Sequence, residues 1–366
     1  MYLIEHRLEN YKNIKQMVFC PPQEVSVICG ENGQGKTNLL ESIFLLTGAR
    51  SFRKGKDCDL IMKDEDFAII NSSFFCEERE QEIKLDITEK GRGASLNKGT
   101  RTKASALAGI FCCVVFSPEH LELVKGAPDK RRRFLDTALC QISPRYLSEL
   151  KKYSRLTDQK NSLLKDCRSV SAAHDMIDIF DTSLAESCTL LTDMRRSFVD
   201  ALRGPAADTY FAVCGGREAI DISYYSTMFG AEKADASLCL EALKNARIAD
   251  MRAGFCTVGV HRDDLLVSLD REDSRVFSSQ GQQRSIVLSL KLAEAEVMER
   301  CISKKPVLLL DDVLSELDKS RQDYLIKCLR GRQSIITSCE PDFIEKKTGA
   351  SVFKIANGAL VERNKA

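Results

Sequence analysis

Apolar and polar residues cluster or alternate along the chain in ways that predict several strands. EVSVIC at residues 24–29 and VLLL at 307–310 have the continuous apolar character of buried strands. IKLDIT at 83–88 alternates apolar and polar residues, which predicts a half-exposed antiparallel strand. Asn357 and Gly358 stand between two apolar-polar runs and predict a two-residue hairpin turn. The pattern indicates both parallel and antiparallel strands.

Helical spacing of apolar residues is found in the rest of the chain. After the first buried strand, apolar residues recur at helical positions up to Gly48, which is typical of a helix C-cap. Residues 134–202 carry apolar side chains at spacings of three and four with few breakers, which predicts a helical hairpin or a short arm. Four further positions predict a long amphipathic helix: Ile286, Leu290, Ala293 and Val297.

Composition limits the classes of protein that the chain can represent. Its 366 residues and 43% hydrophobic content suffice for a large core, which we expect to divide into two lobes. The net charge of +1 provides no general basic field, so any nucleic-acid binding must be local. The 15 cysteines contain no C-x-x-C pair and there are four histidines, which argues against a zinc site and for reduced thiols in a cytosol. Without an apolar run of roughly 18 residues, we expect no membrane span and a cytoplasmic protein.

GENGQGKT at residues 30–37 has the G-x-x-x-x-G-K-T spacing of a phosphate-binding loop. Its glycines allow backbone N–H groups to turn around an anion, and the helix that follows points its positive end at the same phosphates. We expect the Lys36 amine to reach the β- and γ-phosphates and the Thr37 hydroxyl to bind Mg²⁺. The competing interpretation is a glycine-rich turn with a chance lysine. The predicted ATP-binding residues are Gly30, Glu31, Asn32, Gly33, Gln34, Gly35, Lys36, Thr37 and Asn38.

A second half of this site is predicted far along the chain. Asp311 and Asp312 follow the apolar run at 307–310, at the strand end where α/β sheets place ligand chemistry. In this Walker B pattern, we expect Asp311 to hold Mg²⁺ and Asp312 to polarise the attacking water. The competing interpretation is that both carboxylates cap the next helix. Because Asp311 follows Lys36 by 275 residues, a substantial segment must be inserted between the two halves.

FSSQGQQRS at 277–285 begins the predicted long helix with small and polar residues, which favours an anion site at the helix N-terminus. A chain with its own phosphate-binding loop needs no second site for the same phosphate. We therefore expect Ser279 and Gly281 to face the γ-phosphate bound by another copy of the chain. Taken alone, the stretch also fits an ordinary helix N-cap.

These motifs, taken in order, resemble those of ABC-type ATPase heads of the SMC group. SSQGQ is similar to the LSGGQ signature, and SELD at 315–318, with Asp318, is similar to the D-loop. VVFSPEHLELVKGAPDKRRRFLD at 114–136 and VGVHRDDL at 258–265 resemble stretches of the RecF family of bacterial recombination and repair proteins. LENYKNI and GARSFRKGKDCDLI resemble the same family. The resemblance implies an α/β, ABC-type P-loop ATPase head, with a mixed sheet and an antiparallel β subdomain, plus a mainly helical second lobe.

The same resemblance implies a function. The expected protein is an ATP-dependent clamp that binds double-stranded DNA and single/double-strand junctions in recombinational repair and at replication gaps. ATP binding would drive head-to-head dimerisation, with Ser279 and Gly281 acting in trans, and slow, DNA-stimulated hydrolysis would release the dimer. The implied partners are RecO and RecR, and the implied outcome is assistance in loading RecA.

Three positions depart from the pattern of ABC heads. No glutamine stands in the Q-loop region, where Ser117 and Glu119 are the nearby polar residues. Asp312 replaces the usual glutamate with a carboxylate that is one methylene shorter. The position of the switch histidine offers only Thr337 or Ser338. These departures predict slow turnover and leave the second Mg²⁺ ligand unassigned.

The motifs divide the chain into two parts. Residues 1–115 and 260–366 are expected to form a discontinuous ATPase head, and residues 116–259 the helical lobe or short arm. The lobe is too short for the long coiled coil of chromosome-organising relatives, which need many more heptads.

Clusters of cations are the candidates for DNA contact. Contacts to phosphates would give salt-sensitive binding with little sequence preference. Charge runs are more often solvated faces, and these arginines could instead pair with acidic residues of the helical lobe. The roles of His261 and Asp263 stay open between a contact of the lobes and a functional one. The candidate DNA-binding residues are Arg53, Lys54, Lys56, Arg131, Arg132 and Arg133.

Two other functions compete with the DNA clamp. A cytosolic ATPase subunit of a transporter would have its Walker motifs about half as far apart and a genuine Q-loop. Another SMC-type ATPase, coupled to a nuclease, would need a metal-carboxylate cluster beyond the Walker B pair, and the sequence contains no recognisable one.

Overall fold

The computed structural model describes residues 1–166, 170–230 and 232–364. The strands are β1 (Tyr2–Tyr11), β2 (Ile14–Phe19), β3 (Val25–Cys29), β4 (Phe67–Cys76), β5 (Arg79–Thr88), β6 (Gly91–Leu96), β7 (Thr102–Lys103), β8 (Cys113–Phe116), β9 (Ile220–Tyr225), β10 (Asp264–Leu269), β11 (Glu272–Asp273), β12 (Val307–Asp311), β13 (Ser334–Thr337), β14 (Ser351–Ala356) and β15 (Ala359–Asn364). The helices are α1 (Lys36–Phe44), α2 (Glu122–Lys125), α3 (Pro128–Ile142), α4 (Pro144–Asp166), α5 (Val170–Val213), α6 (Ala236–Ala253), α7 (Ser274–Phe277), α8 (Gln280–Ile302), α9 (Lys319–Cys328) and α10 (Pro341–Thr348).

A mixed sheet forms the centre of the head. Its order is β15-β14-β3-β13-β12-β8, in which the strands from β14 to β8 are parallel and β15 is antiparallel. Both faces are covered, because Val307 and Leu309 pack with α1 whereas Leu308 and Leu310 pack with α8 and α9. Continuous apolar runs suit strands that are buried on both faces. The two buried strands predicted from such runs are therefore confirmed.

A hairpin closes one edge of this sheet. Asn357 and Gly358 join β14 to β15 with φ angles of 49° and 72°. Two consecutive residues with positive φ suit the twist of a tight hairpin, and Asn-Gly is the pair that adopts them most readily. The predicted turn is confirmed.

The second sheet is antiparallel, with the order β2-β1-β4-β5-β6-β7. The predicted strand at 83–88 lies in β5, where Ile83, Leu85 and Ile87 are fully buried and the residues between them are partly exposed. The buried face shares one apolar cluster with α1 and with the near face of the mixed sheet. Helix α1 therefore connects the cores of the two sheets, and the phosphate-binding loop begins at its N-terminus.

The helical lobe packs α3, α4, α5 and α6 around a small sheet of order β11-β10-β9. Helices α4 and α5 contact each other, as expected of the helical hairpin predicted for residues 134–202. Residues 167–169 of that stretch lie outside the described residues. No helix in the described ranges combines the length and the apolar character needed to cross a membrane.

Strand pairing refines the second boundary of the expected domains. β10 pairs along its whole length with β9, from Asp264 opposite Tyr225 to Leu269 opposite Ile220. Residues 264–273 therefore lie with the helical lobe, although they follow the boundary expected near residue 260. The division into a discontinuous head and an inserted lobe otherwise stays a prediction.

Helix α8 is apolar on two faces. Ile286 and Leu290 enter the core of the helical lobe, whereas Leu288 and Leu292 enter the core behind the mixed sheet. The prediction of an amphipathic helix was therefore wrong in one respect, since the residues between the predicted apolar positions are buried as well. Because α8 is buried on both faces, the paired Lys291 and Glu294 included, the helix connects the cores of the two lobes.

A buried ion cluster joins three helices of the lobe. Lys160 of α4 donates to Asp181 of α5 at 2.8 Å and to Asp250 of α6 at 3.2 Å, and all three side chains are fully buried. Arg247 also donates to Asp181, at 2.8 Å. Buried charges are tolerated only when they are paired in good geometry. The cluster therefore specifies how α4, α5 and α6 pack.

His6 on β1 connects the antiparallel sheet to α1 inside the core. Its Nδ1 lies 2.7 Å from Ser72 Oγ, and its Nε2 lies 2.7 Å from Ser42 Oγ. The ring is fully buried, and burial lowers the pKa of His6 to about 3. Between pH 6.5 and pH 3 the His6 imidazole is therefore neutral in the folded protein, whereas in the unfolded chain it is protonated.

We expect this histidine to make the fold sensitive to acid. The unfolded chain binds a proton at His6 near pH 6.5 and the folded chain does not, so the stability present above that pH is lost as pH falls from 6.5 towards 3. At pH 5 the loss is about 2 kcal/mol. In His6→Gln, whose amide can still donate and accept, urea unfolding at pH 7 and pH 5 should show a correspondingly smaller difference. An unchanged difference would mean that other groups cause the acid sensitivity.

Candidate nucleotide-binding site

The phosphate-binding loop lies between β3 and α1, and its glycines are required by close contacts. Gly30 has a φ of 147°, and a Cβ there would lie 2.3 Å from the carbonyl oxygen of Ile355 on β14. Gly35 has a φ of 111°, and a Cβ there would lie 3.0 Å from Asn13 Oδ1. Residues with a side chain rarely adopt such φ angles, and at Gly30 a Cβ would also collide with the backbone of β14. The predicted strand–loop–helix context is present.

Two turns from distant parts of the chain contact this loop. Asn13, in the turn between β1 and β2, donates to Gly33 O at 3.2 Å and accepts from Asn38 Nδ2 at 2.8 Å. The N–H of Gly358 donates to Gln34 O at 3.1 Å. Sequence reasoning missed the role of Asn13, because its position in LENYKNI is defined only by the three-dimensional contact.

The Lys36 amine lies inside the loop. It donates to the carbonyl oxygens of Gly30 and Glu31, the latter at 3.0 Å, and its side chain is largely buried. Cys339, which follows β13, has its Sγ 3.7 Å from Lys36 Nζ. The amine is therefore held where the backbone of the loop turns, which is the position needed to meet phosphate oxygens. No motif in the sequence indicated Cys339.

The two halves of the predicted site meet at Asp311. Thr37 Oγ1 donates to Asp311 Oδ1 at 2.8 Å, and Thr337 Oγ1 donates to the same oxygen at 2.9 Å. Burial raises the pKa of Asp311, and the two hydroxyl donors oppose this rise. The structure thus brings together Lys36, Thr37 and Asp311, as the Walker A and Walker B motifs predicted.

Asp312 has a strained backbone. Its φ is 51°, a left-handed value that costs energy for a residue with a side chain. Its N–H donates to Thr337 Oγ1 at 2.9 Å, which helps to hold this conformation. Of the two candidates for the switch position, Thr337 lies between both aspartates, whereas Ser338 accepts from the N–H of Glu340 at 3.0 Å.

In the Q-loop region, Ser117 is mostly buried and bonded within its own turn. Its N–H donates to His120 Nδ1 at 3.0 Å, and burial lowers the pKa of His120 well below the usual histidine value. Glu119 is exposed. Neither residue has a described contact with Thr37 or Asp311, so the second Mg²⁺ ligand stays unassigned.

Arg53 lies beside the nucleotide site. Its Nη1 donates to Asn38 Oδ1 at 3.1 Å and lies 3.7 Å from the buried carboxylate of Glu41, both on α1. Its positive charge lowers the pKa of Asp311, against the larger effect of burial. Arg53 is partly exposed and Lys54 and Lys56 are exposed, so the grouping of all three as DNA contacts stays a prediction, with Arg53 also beside the nucleotide site.

Ser279 is the N-cap of α8. Its Oγ accepts from the N–H of Gln282 at 3.3 Å, while Gln282 Oε1 accepts from the N–H of Ser279 at 2.7 Å. Gln282 also donates to Glu218 at 2.9 Å. The side chain of Ser279 is exposed and Gly281 is partly exposed. This geometry fits an ordinary N-cap and also a signature turn available to another copy.

Asp318 caps α9 and contacts α8 through an arginine. It accepts from the N–H of Arg321 at 3.0 Å, and it also pairs with the Arg321 guanidinium. Arg321 Nε donates to Ser285 Oγ on α8 at 2.7 Å. Across the described residues, no hydrogen bond or ion pair joins either Ser279 or Asp318 to the phosphate-binding loop.

The three consecutive arginines of α3 have different environments. Arg131 is 2% exposed and forms a two-bond ion pair with Asp264, at 2.7 and 2.9 Å. Arg132 donates to the carbonyl of Asp263 at 2.8 Å. Arg133 is exposed and donates to Ser51 O at 2.7 Å. The prediction that Arg131 contacts DNA was wrong, because its guanidinium is buried and already paired.

The residues of VGVHRDDL also form contacts inside the lobe. Asp263 accepts from Tyr224 OH at 2.6 Å and from the N–H of Thr227 at 2.8 Å. His261 contacts Tyr153 through Nδ1 and Cys256 O through Nε2, the latter at 2.9 Å. The structural alternative for His261 and Asp263 is therefore the one that these contacts favour.

Comparison with known proteins is consistent with this geometry. Residues 2–359 match the family described as RecF/RecN/SMC N terminal domain. DNA replication and repair protein RecF of Bacillus thuringiensis (strain Al Hakam) is 38% identical, with 98% of each chain covered. The chain belongs to the RecF family. A solved structure of the recombination mediator protein RecF bound to ATP, in the RecFOR pathway, aligns with a TM-score of 0.91 and 34% identity, covering 99% of this chain and 97% of that one.

More distant structures share the fold. The Smc head domain of Pyrococcus furiosus, bound to the C-terminal domain of ScpA, aligns with a TM-score of 0.55 at 14% identity, covering 100% of this chain and 96% of that one. The expected fold class, an ABC-type ATPase head with a mainly helical second lobe, is confirmed by the RecF and Smc structures together.

The pair between Arg131 and Asp264 allows a direct test of the corrected role. Arg131→Ala should lower the free energy of unfolding by about 3 kcal/mol, because it removes the two-bond partner of the buried Asp264 carboxylate and leaves only the longer 3.8 Å contact with Arg275. Arg133→Ala is the matched control on the same helix. Because the Arg133 side chain is exposed, its removal should change the free energy of unfolding by less than about 1 kcal/mol. Chemical unfolding of both variants measures the difference. Equal effects would contradict a structural role that is specific to Arg131.

Proposed function

We propose that the chain is an ATP-dependent DNA clamp that acts in recombinational repair and replication-gap processing. The observation that carries the proposal is the 2.8 Å contact between Thr37 and Asp311, which joins the two halves of an ATP site across 274 residues. The relatives named as DNA replication and repair proteins, and the RecF structure bound to ATP, support the same conclusion. The chain is an ATPase in this proposal, with weak activity that DNA stimulates.

Each residue of the site has a part in binding or hydrolysis. The N–H groups of the loop and the Lys36 amine hold the β- and γ-phosphates. Thr37 Oγ1 and Asp311 provide adjacent hard oxygen ligands, which are the kind that Mg²⁺ prefers. When bound, Mg²⁺ would neutralise phosphate charge. Asp312 orients the attacking water, and its short side chain accounts for slow turnover.

The signature turn completes the site of another copy. Ser279 is exposed at the start of α8, where unpaired N–H groups and the helix dipole favour an anion. Ser279 and Gly281 would therefore contact the γ-phosphate of a second subunit, with the turn around Asp318 alongside. ATP would hold a head-to-head homodimer together, and slow hydrolysis would release it.

DNA binds to the dimer through dispersed cations. The net charge of +1 favours weak binding by one subunit, whereas dimerisation doubles the number of phosphate contacts. Lys54 and Lys56 are exposed on their loop and would contact the duplex, and Arg132 and Arg133 of α3 would contact DNA at a junction. The ligands are double-stranded DNA and single/double-strand junctions. RecO and RecR are the proposed partners, by analogy with the RecFOR pathway of the structural relative, with RecA loading as the result.

Lys36→Ala tests the nucleotide site. Loss of hydrogen bonds from a charged group to phosphate should weaken ATP binding about 10- to 100-fold, as measured by fluorescence of a labelled ATP analogue. The melting temperature should change little, since the hydrogen bonds of the Lys36 amine among the described residues go to two loop carbonyls and to Cys339. Lys15→Ala, an exposed lysine on β2, is the control and should bind normally. Normal ATP binding by Lys36→Ala would refute the assignment of the loop.

Substitutions at Ser279 and Asp312 separate dimerisation from turnover. Ser279→Arg should bind ATP yet sediment as a monomer, because a bulky cation blocks the start of α8 at the interface. Asp312→Asn should dimerise with ATP and remain dimeric, because the γ-phosphate is not cleaved. Analytical ultracentrifugation with ATP and with ADP measures both outcomes. If Ser279→Arg dimerises as the unmodified protein does, the signature assignment is wrong.

A further inference from the structure

A large cleft separates the antiparallel sheet from the helical lobe. Its volume is about 1070 Å³, and its lining includes Arg50 and Lys103 on the side of the sheet and Lys151 of α4 on the other side. The ion pair of Lys291 and Glu294 on α8 also lines it. No residue of the phosphate-binding loop or of the Walker B pair lines the cleft. The cleft is therefore distinct from the nucleotide site.

Its lining holds ten lysines and arginines against six carboxylates, so the cations are only partly balanced. Lys291 pairs with Glu294, and other lining cations pair in the same way, among them Arg92 with Asp57 and Arg195 with Asp136. Arg50, Lys103 and Lys151 are exposed and have no hydrogen bond or ion pair with any described residue through their side chains. Burial lowers the pKa of Lys151, and the positive charges of Lys103 and Arg50 lower it further. Three cations that repel one another across a cleft are stabilised by an anion between them.

The cleft is too narrow for a double helix. Arg133 extends from α3 and donates to the carbonyl oxygens of Ser51 and Phe52 on the opposite wall, at 2.7 and 2.9 Å. One side chain thus spans the space between the walls at this place, whereas even the major groove of duplex DNA is about 12 Å wide. A single strand is thin enough to enter such a space.

Apolar surface lies next to the cations. Phe52, Leu147 and Leu150 line the cleft and are only partly buried. Sites for single-stranded nucleic acid combine a basic groove for the phosphates with aromatic side chains on which bases stack, and Phe52 is such a side chain here. A free inorganic anion has no apolar part that could pack against this surface.

We propose that this cleft binds a short segment of single-stranded nucleic acid, with its phosphates contacting Arg50, Lys103 and Lys151. The inference rests on the proposed function only in that DNA is the ligand of the protein. It adds a second, separate binding place, so that the duplex part of a junction contacts the outer surface while the unpaired part enters the cleft.

The test uses the full chain and a triple variant, Arg50→Ala, Lys103→Ala and Lys151→Ala. The probes are a fluorescently labelled oligothymidylate of about twelve nucleotides and a blunt duplex, each titrated by anisotropy at several salt concentrations. Single-strand affinity should fall at least about tenfold, and the slope of log affinity against log salt should decrease by about 2, from three lost phosphate contacts. Duplex affinity with ATP should change less than twofold.

A matched control replaces three exposed lysines outside the cleft, Lys63, Lys244 and Lys327, by alanine. It removes the same charge and should keep the single-strand affinity. As a second measurement, photo-crosslinking of an oligonucleotide that contains 4-thiothymidine should label the peptides around Phe52 or residues 147–151 of the unmodified protein.

Several results would overturn the inference. These are unchanged single-strand binding by the triple variant, an equal loss of duplex binding, or an equal loss in the control variant. Displacement of the strand by pyrophosphate at the same phosphate concentration would assign the cleft to small phosphate compounds instead. If the unmodified protein failed to bind the duplex but bound the single strand through these three cations, the proposed clamp would fail and the cleft assignment would stand.

Discussion

The parallel pairing of β3, β13 and β12 is the constraint on which the nucleotide site depends. β13 lies between the other two strands, and the three run in the same direction. Their carboxyl ends therefore meet at one edge, where Thr337 stands between the loop that follows β3 and the aspartates that end β12. Asp311 accepts from Thr37 and Thr337 together. Sheet topology, rather than proximity in sequence, assembles these side chains.

Helix α8 extends this constraint to the second lobe. Its residues alternate between the core behind the mixed sheet and the core of the helical lobe, so the helix belongs to both. At its N-terminus, Ser279 and Gln282 form reciprocal hydrogen bonds, and Glu218 of the lobe holds Gln282. Any rotation of one lobe against the other would move the turn at Ser279, because α8 packs into the cores of both lobes.

Features of the fold and the site that depend on adjacent residues could be predicted from the sequence. The phosphate-binding loop and the Asn357-Gly358 turn were predictable, because their conformations depend on a few adjacent residues. Charge runs were less informative, since a row of arginines does not reveal which member is buried. Arg131 and Arg133 differ by half a helical turn, and that rotation places one against Asp264 and the other at the surface.

Contacts between distant segments were predictable only where a motif pair marks them, as at Thr37 and Asp311. Asn13, Arg53 and Cys339 belong to the nucleotide site, yet none lies in a motif that describes it. The domain boundary near residue 260 could not be placed accurately for the same reason. The sequence of β10 predicts a strand but does not show that the strand pairs with β9. The two-faced character of α8 likewise depends on what surrounds the helix.

The bracing of the phosphate-binding loop has a consequence for biosynthesis. Gln34 contacts the Asn357-Gly358 turn, 323 residues later in the chain, and Gly30 is packed against the backbone of Ile355. A ribosome produces the loop early and the strand that supports it much later. The nascent polypeptide therefore carries this loop with Asn13 as an early support but without its contacts to β14 and the Asn357-Gly358 turn, which form only when β14 inserts beside β3.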